Sequence, residues 1–139
     1  MMKTNTLKIL LSLVAIVIVV LTLHWINASR GASQDGVITI IVINDKKETI
    51  IEDDIAYEAQ TEDGKKTTIR MILEEHYDIE VRQGMLVRIE DVEADTREYF
   101  IKIWINCKQA QYGIDQMPFE DGDIIHFIYT KVGDMSDAC

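Results

Sequence analysis

The run from Ile9 to Leu23 limits this chain most, because it is apolar throughout except at Ser12 and Thr22. With His24, Trp25 and Ile26 it reaches about 18 residues, near the lower bound for a helix that crosses a bilayer. Lys3 and Lys8 precede or open the run and no acidic residue does. That asymmetry keeps the N-terminus inside and turns the rest of the chain outward. Trp25 at the outer end fits an interfacial aromatic. A cleaved signal peptide has the same basic and apolar parts. Its small-residue site would have to be Ile26-Asn27-Ala28, with a large side chain at the first key position. An uncleaved anchor is therefore expected, with secretion as the alternative. No cysteine stands nearby to carry a lipid.

Residues 1–28 thus read as anchor or signal and 29–36 as a Ser/Gly/Ala linker, flexible by composition. Residues 37–132 read as one domain and 133–139 as a polar, frayed tail. Asn27-Ala28-Ser29 is formally a glycosylation sequon but sits against the membrane. The roughly 110 residues beyond the anchor suffice for a single core. From Arg30 onward the chain holds all 24 acidic residues against 12 basic ones, which gives this part a net charge of −12. Nucleic acid and anionic lipid are disfavoured as partners, since both attract positive fields. Two cysteines, Cys107 and Cys139, specify no framework, and unpaired thiols are the expected state. No Cys/His spacing suited to zinc is present.

Val37–Ile43 is nearly continuously apolar, the pattern of a strand covered on both faces. Asn44–Lys47 reads as a turn, 48–57 as a second strand and 58–66 as a polar loop. Ile69, Ile72, Leu73 and His76 fall at i, i+3, i+4 and i+7, one stripe of a helix with Thr67 or Thr68 as N-cap. Ile79–Arg82 and Met85–Ile89 read as short strands around Gly84, and 91–98 as an acidic connector. Phe100–Ile105 and Ile124–Tyr129 are the last two strands. In Glu120-Asp121-Gly122-Asp123, Gly122 supplies a positive φ and the aspartates bond to the turn's own backbone. By order alone the domain is α+β, one helix packed on a mixed sheet.

The strand Tyr99–Asn106, then Tyr112-Gly113, then Glu120-Asp121-Gly122-Asp123 running into Ile124–Tyr129, resembles the transcobalamin C-terminal-like domain. That module is common on bacterial surfaces and is seen in animal cobalamin carriers. The resemblance covers roughly Val37 to Lys131 and implies a β-grasp-like sheet. One departure stands out: the family's usual Asn-Gly is Asn106-Cys107 here, and cysteine does not adopt φ > 0 cheaply. In the carriers this domain closes over the corrin together with a helical domain that has no counterpart in this sequence.

Strand alternation places Tyr99, Ile101, Ile103 and Ile105 on one face, and Phe100, Lys102 and Trp104 on the other. The second set offers an aromatic pair beside a cation, able to stack on a flat ligand or dock a partner. Tyr112 and Gly113 open a loop that glycine lets approach a ligand closely. Phe100, Trp104, Tyr112 and Gly113 are therefore the candidate ligand-binding residues, each with a packing role as its plainer alternative. The acidic groups Glu52-Asp53-Asp54 and Glu120-Asp121-Asp123 lack the spacing of a calcium loop. His76 and His126 read as core histidines with hydrogen-bond partners. No nucleophile with a paired base and no phosphate loop is legible, so neither an enzyme nor a cofactor is expected. The expected function is capture of a small ligand, possible corrinoid included, by an extracytoplasmic module. Docking of a surface protein partner is the alternative.

Overall fold

The computed structural model describes residues 2–28 and 31–134, in two units divided between Arg30 and Gly31. In the first, helix α1 runs from Met2 to Ala28. Its segment Lys3–Leu23, 21 residues, has the length and composition of a membrane span or a signal sequence. At about 1.5 Å per residue it is about 31 Å long, close to a hydrocarbon core. Leu10, Leu11, Val19 and Ile16 point in four different directions around the helix and are all exposed, so apolar surface faces every side. The two interrupting hydroxyls turn inward: Ser12 Oγ donates to the Lys8 carbonyl at 2.9 Å, and Thr22 Oγ1 to that of Ile18 at 2.7 Å. Neither then requires water, as a lipid setting demands.

The second unit is α+β. Strands β1 (Gly36–Ile43) and β2 (Thr49–Tyr57) form a hairpin, followed by helix α2 (Ile69–His76). Strands β3 (Ile79–Arg82), β4 (Met85–Ile89) and β5 (Val92–Glu93) make a small antiparallel sheet. Then come β6 (Tyr99–Ile105), β7 (Lys108–Gln109) and β8 (Ile124–Lys131). The main sheet has the order β2-β1-β8-β6-β7. Its central pair, β1 and β8, is parallel, and its other pairs are antiparallel. This is the β-grasp-like arrangement. It leaves the outer side of β2 as a long open edge.

One face of the sheet carries Ile38, Ile40, Val42, Ile101, Ile125 and Phe127, all buried. Ile69, Ile72 and Leu73 of α2 and Leu86 and Ile89 of β4 join the same core. Each such side chain, fully buried, contributes about 1.5–3 kcal/mol. Thr68 is the N-cap, its Oγ1 accepting the Met71 N–H. Thr67 is instead buried and donates to the Glu58 carbonyl. The apolar stripe stops one turn short of the expected length, because His76 is exposed.

Other local expectations are altered. β1 is buried on one face and half-exposed on the other, so it is not fully covered on both sides. The stretch 91–98 contains β5, and Ala94 is part of the core. Asp95 ends it by accepting the N–H groups of Arg97, Glu98 and Tyr99. Within the expected linker, Ala32 is buried and its N–H donates to the Thr67 carbonyl, so this part of the linker packs with the domain. Cys107 is disulfide-bonded, against the expectation of unpaired thiols, while Cys139 lies outside the described residues.

Gly122 has φ +86, as its turn requires. Asp123 bonds within that turn, accepting the Glu120 N–H at 2.9 Å. Asp121 reaches outward instead and accepts the Val37 N–H at 2.8 Å. The turn is thereby stitched to the start of β1, where Gly36 lies so near that a Cβ would meet the Asp121 Cβ at 2.5 Å.

Candidate functional site

Residues 110–118 lead from β7 toward β8 and build a cleft at the end of the sheet. The Gly113 carbonyl accepts the N–H groups of both Gln116 and Met117 at 3.0 Å, closing a compact turn. Ile114 and Met117 plug into the core and hold the loop down. On the helix side, the Arg70 guanidinium lies 2.6 Å from Glu74 and 3.3 Å from Asp115. The Arg70 N–H also donates to the Ile114 carbonyl. These charges are too exposed to add much stability, and their effect is to fix the loop's direction.

Tyr112, thus supported from below, is 55% exposed. It borders a cleft of about 340 Å³ with Ile105, Asn106, Gln109, Met117 and Pro118. The lining is largely apolar with amide groups at its rim, which suits a flat ligand with polar substituents. Gly113 does not line it. A Cβ there would stand 3.1 Å from the Gly84 carbonyl oxygen, a tight contact that glycine avoids.

Phe100 and Trp104 lie elsewhere, on the sheet face away from the core. Trp104 is only 6% exposed. The Lys102 ammonium stands 4.8 Å from the centre of its ring, a cation–π contact worth roughly 2 kcal/mol where water is excluded. Buried in this way, Trp104 presents no surface for a ligand to stack on. Of the four residues expected to act together, the cleft includes Tyr112 alone.

His126 is paired across the sheet from Trp104. The Trp104 indole N–H and His126 Nδ1 are both buried without a hydrogen-bond partner. Burial holds the His126 pKa below its ordinary value, with Glu52 pulling weakly the other way. The expectation of a partnered core histidine thus fails at both positions. His76 is exposed with Nδ1 against the Ile72 carbonyl, and His126 is half-buried and unpartnered.

Two features were not legible in the sequence. A cleft of about 510 Å³ lies between α2 and the end of β2, edged by Glu58, Glu62, Glu75 and His76. Lys102 is buried although strand alternation marks it only as outward-facing. Among the described residues no group of three or more His, Cys, Asp or Glu side chains is placed to hold a metal ion.

No protein-family model matches this sequence, and no curated protein matches it either. Among solved structures it is similar to the crystal structure of a "putative metal binding protein from Ruminococcus gnavus ATCC 29149". The match has a TM-score of 0.51 and 20% identity, and it covers 69% of this chain and 97% of the other. At that identity the likeness concerns the fold: an α+β domain of this kind is shared across nearly the whole of the bacterial protein.

Proposed function

We propose that this chain is a membrane-anchored, extracytoplasmic binding module without catalytic activity, and that the cleft beside Tyr112 is its ligand seat. The exposed Tyr112 ring on a loop locked by Ile114, Met117 and Arg70 supports this reading most directly. An aromatic face held rigid contributes binding area without the entropy cost of ordering a mobile loop. The α1 helix supports the anchor, with Lys3 and Lys8 favouring an outward-facing domain.

The resemblance to the transcobalamin C-terminal-like domain makes a corrinoid the first ligand to test. A cleft of about 340 Å³ is at the small end of ligand sites. It would grip one edge of a macrocycle and leave the rest to a second component. Metal binding, part of the bacterial neighbour's name, has no donor cluster to support it among the described residues.

The full chain in detergent is titrated with cobalamin while the corrin absorbance is monitored. A saturable spectral change that Tyr112→Ala weakens, with circular dichroism intact, supports the reading. A flat titration of the folded chain overturns the corrinoid assignment and favours docking of a surface protein.

A further inference from the structure

The outer side of β2 is unpaired, and β1 fixes which backbone groups it presents. The Thr39 N–H donates to the Asp123 carbonyl. The Val37 N–H donates to the Asp121 carboxylate, and its carbonyl accepts the Gly122 N–H. Val37 and Thr39 therefore turn their amides toward β8, and Ile38 and Ile40 turn theirs toward β2. Ile55 and Asp53 stand opposite those two and are engaged by them. The alternate residues Glu52, Asp54 and Ala56 thus aim their N–H and C=O groups outward, where β2 has no neighbour. We propose that this edge docks an extended, lysine- or arginine-rich segment of a partner protein, which adds to β2 as a further strand.

Charge selects that occupant. Glu52, Asp53 and Asp54 are exposed and fall on both faces of the sheet. Asp54 accepts the Thr39 hydroxyl at 2.7 Å on the face away from the core. Asp53 accepts the Tyr77 hydroxyl at 2.6 Å on the α2 side. Farther along, Ala56 borders the cleft of about 510 Å³ between β2 and α2. The carboxylates of that cleft are Glu58, Glu62 and Glu75, and Met71 gives it an apolar wall. No lysine or arginine among the described residues lines it.

A strand laid on β2 sends alternate side chains to the two faces. Those on the α2 side reach the cleft, where a basic side chain lays its stem on Met71 and brings its charge to the carboxylates. Those on the other side meet Glu52 and Asp54. Ala56 is exposed and carries only a methyl group, so the approach to its amide is open. The backbone supplies the pairing, and the carboxylates on both faces supply the preference for a basic sequence.

The full chain in a non-ionic detergent is titrated with a fluorescent peptide of two Lys-Lys-Thr-Val repeats, which places a lysine on each face of an added strand. Anisotropy should show saturable binding, and a Glu-Glu-Thr-Val counterpart should not bind. The basic peptide with its backbone amides N-methylated keeps its charge but loses its donors, and should bind about tenfold more weakly or worse. Glu52→Gln with Asp54→Asn should weaken binding several-fold with circular dichroism unchanged. Amide hydrogen exchange reads the edge directly. In the complex the N–H groups of Glu52, Asp54 and Ala56 should slow, while those of Asp53 and Ile55, already bonded to β1, should change little. Equal binding of the methylated peptide, no saturable binding of the basic one, or edge exchange indifferent to it would each overturn the proposal.

Discussion

The Asn106 side chain donates to Asp123 Oδ1 at 2.7 Å, while its own carbonyl oxygen accepts the Ile124 N–H at 2.9 Å. Asp123, 7% exposed, uses its other oxygen for the Glu120 N–H. Both oxygens of Asp123 and both ends of the Asn106 amide are engaged, and together they tie the β6–β7 turn to the entry of β8. Asp123→Asn must turn a donor toward either Asn106 or Glu120. It should lower unfolding stability by about 1–3 kcal/mol, the cost of a buried group left without its partner. Asn106→Ala should cost a similar amount, and the double variant less than the sum. Urea denaturation midpoints of the four chains measure the coupling. Strict additivity would show that the two residues act separately.

The same turn holds Asn106 at φ 48 and Cys107 at φ 67. A non-glycine residue in that region costs roughly 1–2 kcal/mol. Cys107→Gly should therefore stabilise the reduced protein by about that amount. In the oxidised protein the same change removes a disulfide, typically worth about 2–4 kcal/mol, and should be destabilising overall. The sign of the effect should thus reverse with redox state. Thermal unfolding with and without a dithiol checks it.

Asp95 accepts three backbone N–H groups, and these bonds lower its pKa below the ordinary 3.8. A depressed carboxylate contributes stability that is fully present above its unfolded pKa and is lost as pH falls through the folded value. Asp95→Ala should lower Tm at neutral pH, and the difference from wild type should shrink below about pH 4. A constant gap across that range would mean that the carboxylate charge is not involved.

His126 behaves oppositely in charge but alike in direction. Burial depresses its pKa below 6.5, so the unfolded chain binds the proton first as pH falls. Its contribution is intact above the unfolded value and is lost as pH drops from there through the folded pKa. His126→Leu should remove that acid sensitivity, leaving stability flatter between about pH 6.5 and 5. Matched urea titrations at the two pH values provide the comparison.

The strand order was legible because apolar alternation and turn chemistry are local signals. Val37–Ile43, the stripe of Ile69, Ile72 and Leu73, and the Gly122 turn are each set by residues close in sequence. The candidate site was less legible, since it depends on what covers a face. Alternation correctly places Trp104 opposite the core side, but cannot say that Lys102 folds over it and that both are buried. The two-residue strands β5 and β7 carry too few residues for a periodicity, and β7 arises from the turn that brings Lys108 back to Ile105. The Asp121 bond to Val37 spans 84 positions and has no local signature.

The open side of β2 has a bearing on crowding. Wherever copies of a chain meet at high local density, an unpaired strand is a template for its neighbour. Glu52, Asp53 and Asp54 stand in succession along that strand, all exposed. Two such edges brought together oppose acid to acid at separations within the Debye length of about 8 Å. Like-charge repulsion along β2 thus opposes the pairing of one copy's edge with another's.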